Sequence, residues 1–342
     1  MPDKLKHVTT ELELIDRFAA FLPRSPDQLN RLHESDAELI RLGPDGLILA
    51  ATTDGLVEEI DAGLYGDPEL VGWMTGTACA SDLAAVGAAP LGMLVDVTLP
   101  AEADDALVAG LAHGLGEAAT AYRLPVLGGD MNVAAGLRTS ATALGLIREG
   151  RPLFRRGAVP GDRVFVSGPL GLGSAHALSV ISGGEPIPYR PLARLELGQG
   201  LRGLATACID SSDGAIAALD ELMLRSGVGI ELNRDIAEVL HPAARSAARL
   251  ARLPAWTMLA GPHGEYELMF TAPDEQSDAV RAVGETQGAT LIEIGRVVER
   301  PGLRIQIDGS QVELDAGEVR GLYRESGGRV AEYIERLVRM VR

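Results

Sequence analysis

The stretch REGRPLFRRGAVPGD, residues 148–162, decides how this chain is divided. It is charged and contains glycine and proline, which interrupt regular structure. An apolar segment typical of a strand, residues 138–146, comes before it, and a second such segment, residues 163–167, follows it. Because connections of this composition separate domains, we predict two domains, residues 1–150 and 151–342.

Hydrophobic periodicity predicts an α/β (α+β) fold with mixed sheets, since helical and extended patterns alternate along the chain. The length of 342 residues suits two domains with full cores, and 46% apolar with 23% charged residues excludes a mainly disordered chain. Helices are predicted at residues 12–21, 69–86, 103–122, 174–181, 192–204, 215–224, 243–251, 278–287 and 329–341. Strands are predicted at residues 47–52, 91–98, 125–127, 138–146, 163–167, 207–209, 266–271 and 303–307. The proline-rich and glycine-rich segment 182–191 is expected to be an exposed loop.

The charge balance argues against two classes of partner. With 31 basic and 48 acidic residues the net charge is −17, which opposes binding to nucleic acid and to anionic membranes. The charged N-terminal segment, residues 1–18, is not typical of a secretory signal, and the longest apolar run, residues 83–95, is shorter than the roughly 20 residues of a membrane span. Cys79 and Cys208 are too few for a disulfide framework. We therefore expect a cytoplasmic protein.

Lysine is almost absent, and this excludes two mechanisms. Lys4 and Lys6 are the only lysines, and the other 29 basic residues are arginines. A Walker-type phosphate loop and a pyridoxal-phosphate enzyme both need an internal lysine. The bias toward arginine is also consistent with genome composition alone, but the exclusion holds in either case.

Six aspartates beside glycine, serine or threonine are the main candidates for chemistry. Carboxylates with hydroxyl groups and glycine-rich turns are the hard-oxygen environment that Mg²⁺ prefers, usually together with phosphate oxygens. The pattern therefore predicts a magnesium-nucleotide site. Taken singly, Asp82 and Asp213 could instead be helix N-caps, and Asp54 and Asp210 could be turn residues. The six are Asp36, Asp54, Asp82, Asp130, Asp210 and Asp213.

Two further segments bear on phosphate binding. Arg155 and Arg156 are the best candidates for arginines that contact a nucleotide, with a solvated linker pair as the alternative. The segment SGPLGLGSAHA, residues 167–177, lies between a predicted strand and a helix, but its spacing does not match a dinucleotide fingerprint. A phosphate at the N-terminus of that helix remains open. The histidines show no zinc-protease pairing, and His263 stands out because it lies in a turn beside Glu265.

Six ordered motifs extend from about residue 12 to 271: TTDGLVEE, SDLAAVGAAP, GGD, RRGAVPGDRVFVSGPLG, IDSSDG and GEYELMF. In this order and spacing the chain resembles the thiamine-monophosphate kinase branch of the superfamily that also contains aminoimidazole ribonucleotide synthetase and selenophosphate synthetase. The resemblance implies N-terminal domains that pair into a dimeric β-barrel, a C-terminal α/β sandwich, and a nucleotide in the cleft. The N-terminal domain would bind ATP and Mg²⁺ and form the homodimer, and the C-terminal domain would complete the cleft.

The resemblance also assigns roles to residues of the nucleotide half. It implies ATP contacts at Gly129, Asp130, Arg155 and Ser212, and catalytic roles for Asp130, Asp213 and Arg155. The tandem aspartates of the family appear here as Ser35 and Asp36, so one carboxylate is missing. The implied Mg²⁺ positions are Asp36, Thr52, Thr53, Asp54, Asp82, Asp130, Asp210 and Asp213.

The acceptor half departs from the family pattern. Asp61 stands where the kinases have a substrate-binding histidine, and GPHGEYEL, one residue longer, replaces the GGED-Tyr-Glu-Leu motif. His263 or Glu265 is the expected substitute for the displaced glutamate, and the aromatic contact near the C-terminus has no clear match.

We therefore expect an ATP- and Mg²⁺-dependent phosphotransferase that acts on a small metabolite, with thiamine monophosphate as the first candidate. A kinase with another acceptor, a ring-closing ligase of the aminoimidazole type and a non-catalytic nucleotide-binding paralogue are the alternatives. The retained carboxylates argue against the last, because without metal they would repel one another.

Overall fold

Two sheets contain the named strands of the computed structural model, which describes residues 11–307 and 309–341, so that Lys4 and Lys6 lie outside the described residues. The first sheet has the order β1-β2-β5-β3-β4, and only β3 and β4 pair in parallel. Its strands are β1 (Glu38–Leu42), β2 (Leu47–Gly55), β3 (Ala89–Pro100), β4 (Val126–Ala134) and β5 (Arg138–Ile147).

The second sheet has the order β12-β11-β8-β10-β6-β9-β7, with β8 and β11 in parallel. Neither sheet closes into a barrel within the described ranges, so the predicted barrel is not present in the single chain. The strands are β6 (Arg163–Val166), β7 (Ala207–Asp210), β8 (Gly229–Asp235), β9 (Leu268–Ala272), β10 (Ile292–Val298), β11 (Gly302–Ile307) and β12 (Ser310–Leu314).

Helices cover both sheets, which gives a mixed α/β fold as predicted. They are α1 (Glu11–Ala19), α2 (Val57–Asp61), α3 (Pro68–Ala85), α4 (Asp105–Ala121), α5 (Leu172–Ile181), α6 (Leu195–Leu201), α7 (Ala215–Ser226), α8 (Ile236–Val239), α9 (Pro242–Ala251), α10 (Ser277–Thr286), α11 (Ala316–Glu325) and α12 (Val330–Arg339). Two short 3₁₀ helices are present at Ala255–Leu259 and Asp274–Gln276. No helix in the described part of the chain is long and apolar enough to cross a bilayer.

Helix α3 is the central element of the first half. The Asp67 carboxylate accepts a hydrogen bond from the backbone N–H of Glu69 (3.0 Å), and Pro68 occupies the first turn, so sequence signals fix where the helix begins. Almost all of α3 is buried because β2, β5, α4 and α6 pack around it. An added Cβ at Gly72 would lie 2.2 Å from the Leu111 carbonyl oxygen, so α3 and α4 are in backbone contact.

The segment between the two sheets is hydrogen-bonded to the residues that precede β1 and to strand β7. The Arg155 N–H donates to the Glu34 carbonyl (2.8 Å), and the Cys208 N–H donates to the Phe154 carbonyl (2.8 Å). The apolar core is continuous across this region, since Met93 of β3 and Phe165 of β6 belong to the same buried cluster.

The loop at residues 182–191 differs from the expectation of full exposure. Its Tyr189 is buried, and its Pro191 carbonyl accepts a hydrogen bond from the Trp73 indole N–H (2.9 Å), which fastens the end of the loop to α3.

Candidate functional site

Three aspartates that are far apart in sequence meet between the two sheets. Asp36 precedes β1, Asp82 lies in the last turn of α3, and Asp210 ends β7. One carboxylate oxygen from each lies within 4.8 Å of the others. We call these three residues the aspartate cluster. Both halves of the chain contribute to it, so its geometry depends on how the two sheets pack together.

The buried carboxylates of the aspartate cluster repel one another. Burial raises the pKa of Asp82 well above its usual value, and the charges of Asp210, Asp54 and Asp36 raise it further. Burial and the Asp36 charge likewise raise the pKa of Asp210, although the Ser212 hydroxyl donates to its Oδ1 (2.9 Å). Like charges in a buried site are stable together only when a cation or protons compensate them.

The oxygens of the cluster fit a divalent cation. Asp36 Oδ2 and Asp210 Oδ2 are buried and accept no hydrogen bond from the described residues. Buried carboxylate oxygens without donors, close together, are the hard ligands that Mg²⁺ binds. The three aspartates could therefore hold Mg²⁺, with the remaining positions left to water and phosphate.

Arg155 provides the positive charge beside the cluster. Its Nε and Nη2 atoms donate to Asp36 Oδ1 at 3.2 and 2.9 Å. Burial lowers the pKa of Arg155, but the Asp36 carboxylate outweighs this and holds the pKa above its usual value. Arg156 instead pairs with Glu34 (Nε to Oε1, 3.2 Å) at the surface. The solvated-pair alternative is therefore wrong for Arg155.

The TTD motif is divided between the two faces of β2, because side chains alternate along a strand. The Thr52 hydroxyl donates to Asp82, and the charge of Asp54 acts on the same carboxylate. Thr53 contacts Thr142 and donates to the Ala141 carbonyl (3.2 Å). The structure thus brings Thr52 and Asp54 to the aspartate cluster and leaves Thr53 on the other face.

The N-cap alternatives for Asp82 and Asp213 are both wrong. Asp82 lies within α3 rather than before a helix. The N-cap of α7 is Gly214, and no side chain caps that helix. Asp213 is exposed. Burial raises the pKa of Glu59 on α2 to about 7, and the charges of Asp54, Glu58 and Asp213 add to this rise.

Gly129 and Asp130 lie apart from the aspartate cluster. They are on β4, and two strands separate β4 from β2, a distance of about 14 Å across the sheet. The Asp130 carboxylate is exposed and accepts from the Met131 N–H (3.0 Å) and from Asn132 Nδ2 (3.0 Å). An added Cβ at Gly129 would lie 1.9 Å from the Val95 carbonyl oxygen, so close approach of β3 requires glycine here. The single chain does not join these two residues to the cluster.

Two loops pack against each other through backbone contacts: residues 209–214 (IDSSDG) and residues 261–264 (GPHG). The Gly264 N–H donates to the Ser212 carbonyl (2.9 Å), and an added Cβ at Gly264 would lie 1.6 Å from the Ser211 carbonyl oxygen. Gly214 has a φ of +88°, and its Cβ would lie 2.1 Å from the Gly261 carbonyl oxygen. These contacts hold the loop containing His263 next to the end of β7.

Glu265 occupies the N-terminus of α5. Its Oε1 accepts from the backbone N–H groups of Gly171 (2.7 Å) and Gly173 (3.3 Å), and burial raises its pKa to about 8. The sequence leaves this helix end open for a phosphate, but in the structure the Glu265 side chain fills it. Glu265 thus has a structural role at the site predicted for substrate.

His263 and Asp61 lie in different surroundings. The His263 ring is buried at 4.8 Å from the Tyr189 ring and 5.6 Å from the Tyr65 ring, and burial lowers its pKa to about 3, so it is neutral. Its Nε2 atom has no hydrogen-bond partner among the described residues. Asp61 ends α2 at the surface and pairs with Arg138 (Oδ1 to Nη2, 3.0 Å).

Sequence reasoning missed a cavity of about 140 Å³ beside His263. Residues of α2, α5, α11, α12, the 3₁₀ helix Ala255–Leu259 and the loop 261–263 line it, and Glu59 is among them. Most of its wall comes from residues after 170, which sequence spacing does not connect with α2.

Comparison with known proteins gives the following similarities. Models of the AIR synthase related protein match residues 34–147 with the N-terminal domain and residues 159–308 with the C-terminal domain. The thiamine-monophosphate kinase of Pyrococcus abyssi is 32% identical over 277 residues, 77% of this chain and 86% of the relative. That of Haemophilus influenzae is 28% identical over 306 residues, 85% of this chain and 90% of the relative. The solved structure of AaThiL complexed with AMPPCP and TMP has a TM-score of 0.75 at 27% identity and covers 91% of this chain and 97% of its own.

Proposed function

Because the chain belongs to the AIR synthase-related family, in its thiamine-monophosphate kinase branch, we propose that it transfers the γ-phosphoryl group of ATP to thiamine monophosphate, giving thiamine diphosphate and ADP. The observation that carries this proposal is the aspartate cluster, with its two orphaned buried oxygens and Arg155 beside it. A relative solved with AMPPCP and TMP supports both substrates.

The cluster has the chemistry that phosphoryl transfer requires. Mg²⁺ bound there would neutralise charge on the phosphate oxygens of ATP. Asp36, Asp82 and Asp210 would hold the metal, and Thr52 orients Asp82 through its hydrogen bond. Arg155 keeps Asp36 in place and adds positive charge. The attacking group is a phosphate that is already ionised, so no dedicated base is needed.

Asp54 belongs to the proposed metal environment because its charge acts on Asp82 of the cluster. Asp213 is proposed from the family resemblance, and its charge acts with that of Asp54 on Glu59. Ser212 supports Asp210 through its hydroxyl group and is proposed as an ATP contact. Thr53, Gly129 and Asp130 remain proposals that rest on the family resemblance alone.

A homodimer that shares a β-barrel is the proposed working form. Strand β4 is an edge strand, and four of its apolar side chains are 47–68% exposed: Val126, Leu127, Met131 and Val133. An apolar edge strand open to water invites pairing with another strand. A second copy of the first sheet would cover it.

The first experiment measures Mg²⁺-dependent ATP consumption with and without thiamine monophosphate and identifies the product by mass. We expect thiamine diphosphate. ATP binding without this product would indicate another acceptor, which the Asp61 and GPHGEYEL departures make the main rival. Absence of ATP binding would contradict the proposed activity.

Single substitutions distinguish the contribution of the aspartate cluster to turnover from that of Asp130 on β4. Asp210→Asn should lower turnover about 100-fold or more because it removes a metal ligand, whereas Asp278→Asn on the exposed face of α10 is the control. The sequence also predicts that Asp130→Asn abolishes turnover with the fold intact. Unchanged turnover in Asp130→Asn would remove Asp130 from the metal set.

A further inference from the structure

We propose that residues 153–156, which connect the two sheets, set the spacing of the aspartate cluster, and that the ion pair between Arg156 and Glu34 is a positioning contact of this connection. We call residues 153–156 the junction segment. The inference rests on the proposed function and names the part of the chain that aligns its metal site.

The junction segment forms backbone hydrogen bonds with two of the elements that carry the cluster. The Leu153 N–H donates to the carbonyl of Val86 (3.1 Å), which is the C-cap of α3, four residues after Asp82. The Phe154 carbonyl accepts from the Cys208 N–H (2.8 Å), two residues before the aspartate that ends β7. Because β7 is an edge strand, the junction segment contacts the open side of that strand.

The next residue of the junction segment bonds to the third stretch of chain. The Arg155 N–H donates to the Glu34 carbonyl (2.8 Å), two residues before Asp36, and the Arg155 guanidinium donates to Asp36 itself. Three consecutive residues therefore contact the three separate stretches that supply the aspartates. Since a residue spans at most about 3.3–3.6 Å of backbone, this short segment holds the three stretches close together.

The ion pair adds a side-chain contact to this arrangement. Arg156 Nε lies 3.2 Å from Glu34 Oε1, and the Arg156 guanidinium carbon lies 4.7 Å from the centre of the Phe154 ring. The other oxygen of the same carboxylate, Glu34 Oε2, accepts from the Arg31 N–H (2.8 Å), and only 17% of the Glu34 side chain is exposed. The carboxylate thus shapes the turn that leads to Asp36, and removal of Arg156 would loosen that turn.

The chain that follows the junction segment is anchored to the second half of the protein. The N–H groups of Gly157 and Ala158 both donate to Ser226 Oγ, at 3.1 and 3.2 Å, at the end of α7. Arg156 therefore joins an anchored part of the second half to the turn before Asp36. The pair acts across the boundary that the metal site itself crosses.

The positive charge of Arg156 allows positioning to be distinguished from simple electrostatics. A cationic side chain near a metal site repels the metal ion, so loss of its charge alone would strengthen the binding of a divalent cation. Loss of a positioning contact would weaken the same binding, because the carboxylate oxygens would no longer be held at the spacing that the ion requires. The two effects have opposite signs.

The test measures the affinity of the nucleotide-free protein for Mn²⁺ by calorimetry, with Asp210→Asn identifying the signal from the cluster. Arg156→Met removes the charge and keeps an apolar side chain beside Phe154. Its affinity for Mn²⁺ should fall about fivefold, the size of one lost ion pair. The Mg²⁺ concentration that gives half-maximal turnover should rise by the same factor, while the KM for thiamine monophosphate should stay unchanged.

Two further variants and one measurement without metal complete the test. Arg156→Lys keeps the charge and should recover most of the Mn²⁺ affinity. Arg151→Met removes an exposed arginine just outside the junction segment and is the control, with an unchanged affinity. In the metal-free protein, the Arg155 amide should exchange its hydrogen faster in Arg156→Met than in the unmodified protein, because the turn that accepts its hydrogen bond is looser.

The outcomes distinguish this inference from the proposed function. An unchanged or stronger Mn²⁺ affinity in Arg156→Met overturns the inference, as does the absence of cluster-bound Mn²⁺ in the unmodified protein. The proposed function stands in both cases if thiamine diphosphate forms. If no thiamine diphosphate forms but Arg156→Met weakens Mn²⁺ binding, the proposed function fails and the positioning role of the pair is supported.

Discussion

Glu265 shows how a single side chain can take the place that a sequence pattern reserves for a ligand. Its carboxylate accepts two backbone N–H groups at the start of α5, where helix ends otherwise attract phosphate. Its second oxygen, Oε2, is buried without a partner in the described chain. Burial outweighs the two hydrogen bonds, so the pKa rises to about 8.

This raised pKa gives a testable dependence of stability on pH. Between about pH 4.5 and 8 the folded state binds more protons at Glu265 than the unfolded state does, so Glu265 lowers stability as the pH rises through this window. Glu265→Gln removes this contribution and keeps an oxygen for Gly171 and Gly173. Its stability relative to the unmodified protein should therefore increase by about 2–5 kcal/mol from pH 5 to pH 8. Urea unfolding at both pH values measures the difference, and parallel pH profiles of the two proteins would contradict it.

For single residues, the sequence identified the carboxylates of the aspartate cluster, but it did not predict the environment in which other site residues are buried. Asp82 and Asp210 were predicted because aspartates beside serine, threonine or glycine provide the oxygen ligands that Mg²⁺ prefers. The environments of Glu59 and His263 could not be predicted, because helices α11 and α12 close the cavity from a distant part of the chain. Thr53 was grouped with Thr52, but the alternation of β2 turns it to the opposite face.

The packing of helix α4 against α3 depends on glycine at one position of α4 and not at another. An added Cβ at Gly114 would lie 1.9 Å from the Glu69 carbonyl oxygen, whereas one at Gly116, two residues further along α4, would meet nothing within 4 Å. The two glycines therefore have different roles although they share a helix.

Alanine substitutions at Gly114 and Gly116 test this difference. Gly114→Ala should destabilise the protein by about 2 kcal/mol or more, because α4 must move away from α3. Gly116→Ala should stabilise it by about 0.5–1 kcal/mol, since alanine restricts the unfolded chain and favours the helix. Thermal unfolding of both variants tests this, and equal effects would show that α4 does not touch α3 as described.

Elements with a clear period were predicted within a few residues, as for α3, predicted at 69–86 and observed at Pro68–Ala85. Strand β4 was predicted only at 125–127 but extends through Val126–Ala134, because its glycines, aspartate and asparagine are tolerated at an exposed edge. Strand β10 was missed because Glu293 and Arg296 break its apolar pattern, and Glu293 is paired with Arg163 across the sheet.

At the scale of the whole molecule, the exposed face of β4 predicts self-association. Met131→Lys places a charge on this strand and should convert the proposed dimer into monomers, because a buried charge without a partner opposes pairing. Leu250→Lys, at an exposed position on α9, is the control and should leave the mass unchanged. Light scattering after size exclusion gives the mass. A monomeric unmodified protein, or a dimeric Met131→Lys variant, would contradict the proposed barrel.

The aspartate cluster also has a consequence for the order of synthesis. Asp36 and Asp82 leave the ribosome with the first sheet, but Asp210 belongs to the edge strand of the second. A nascent chain that has completed only the first sheet thus carries two of the three carboxylates and lacks the third. The phosphate chemistry that we propose for this site would begin only when both sheets have been made and have docked, so an unfinished polypeptide would not consume the nucleotide.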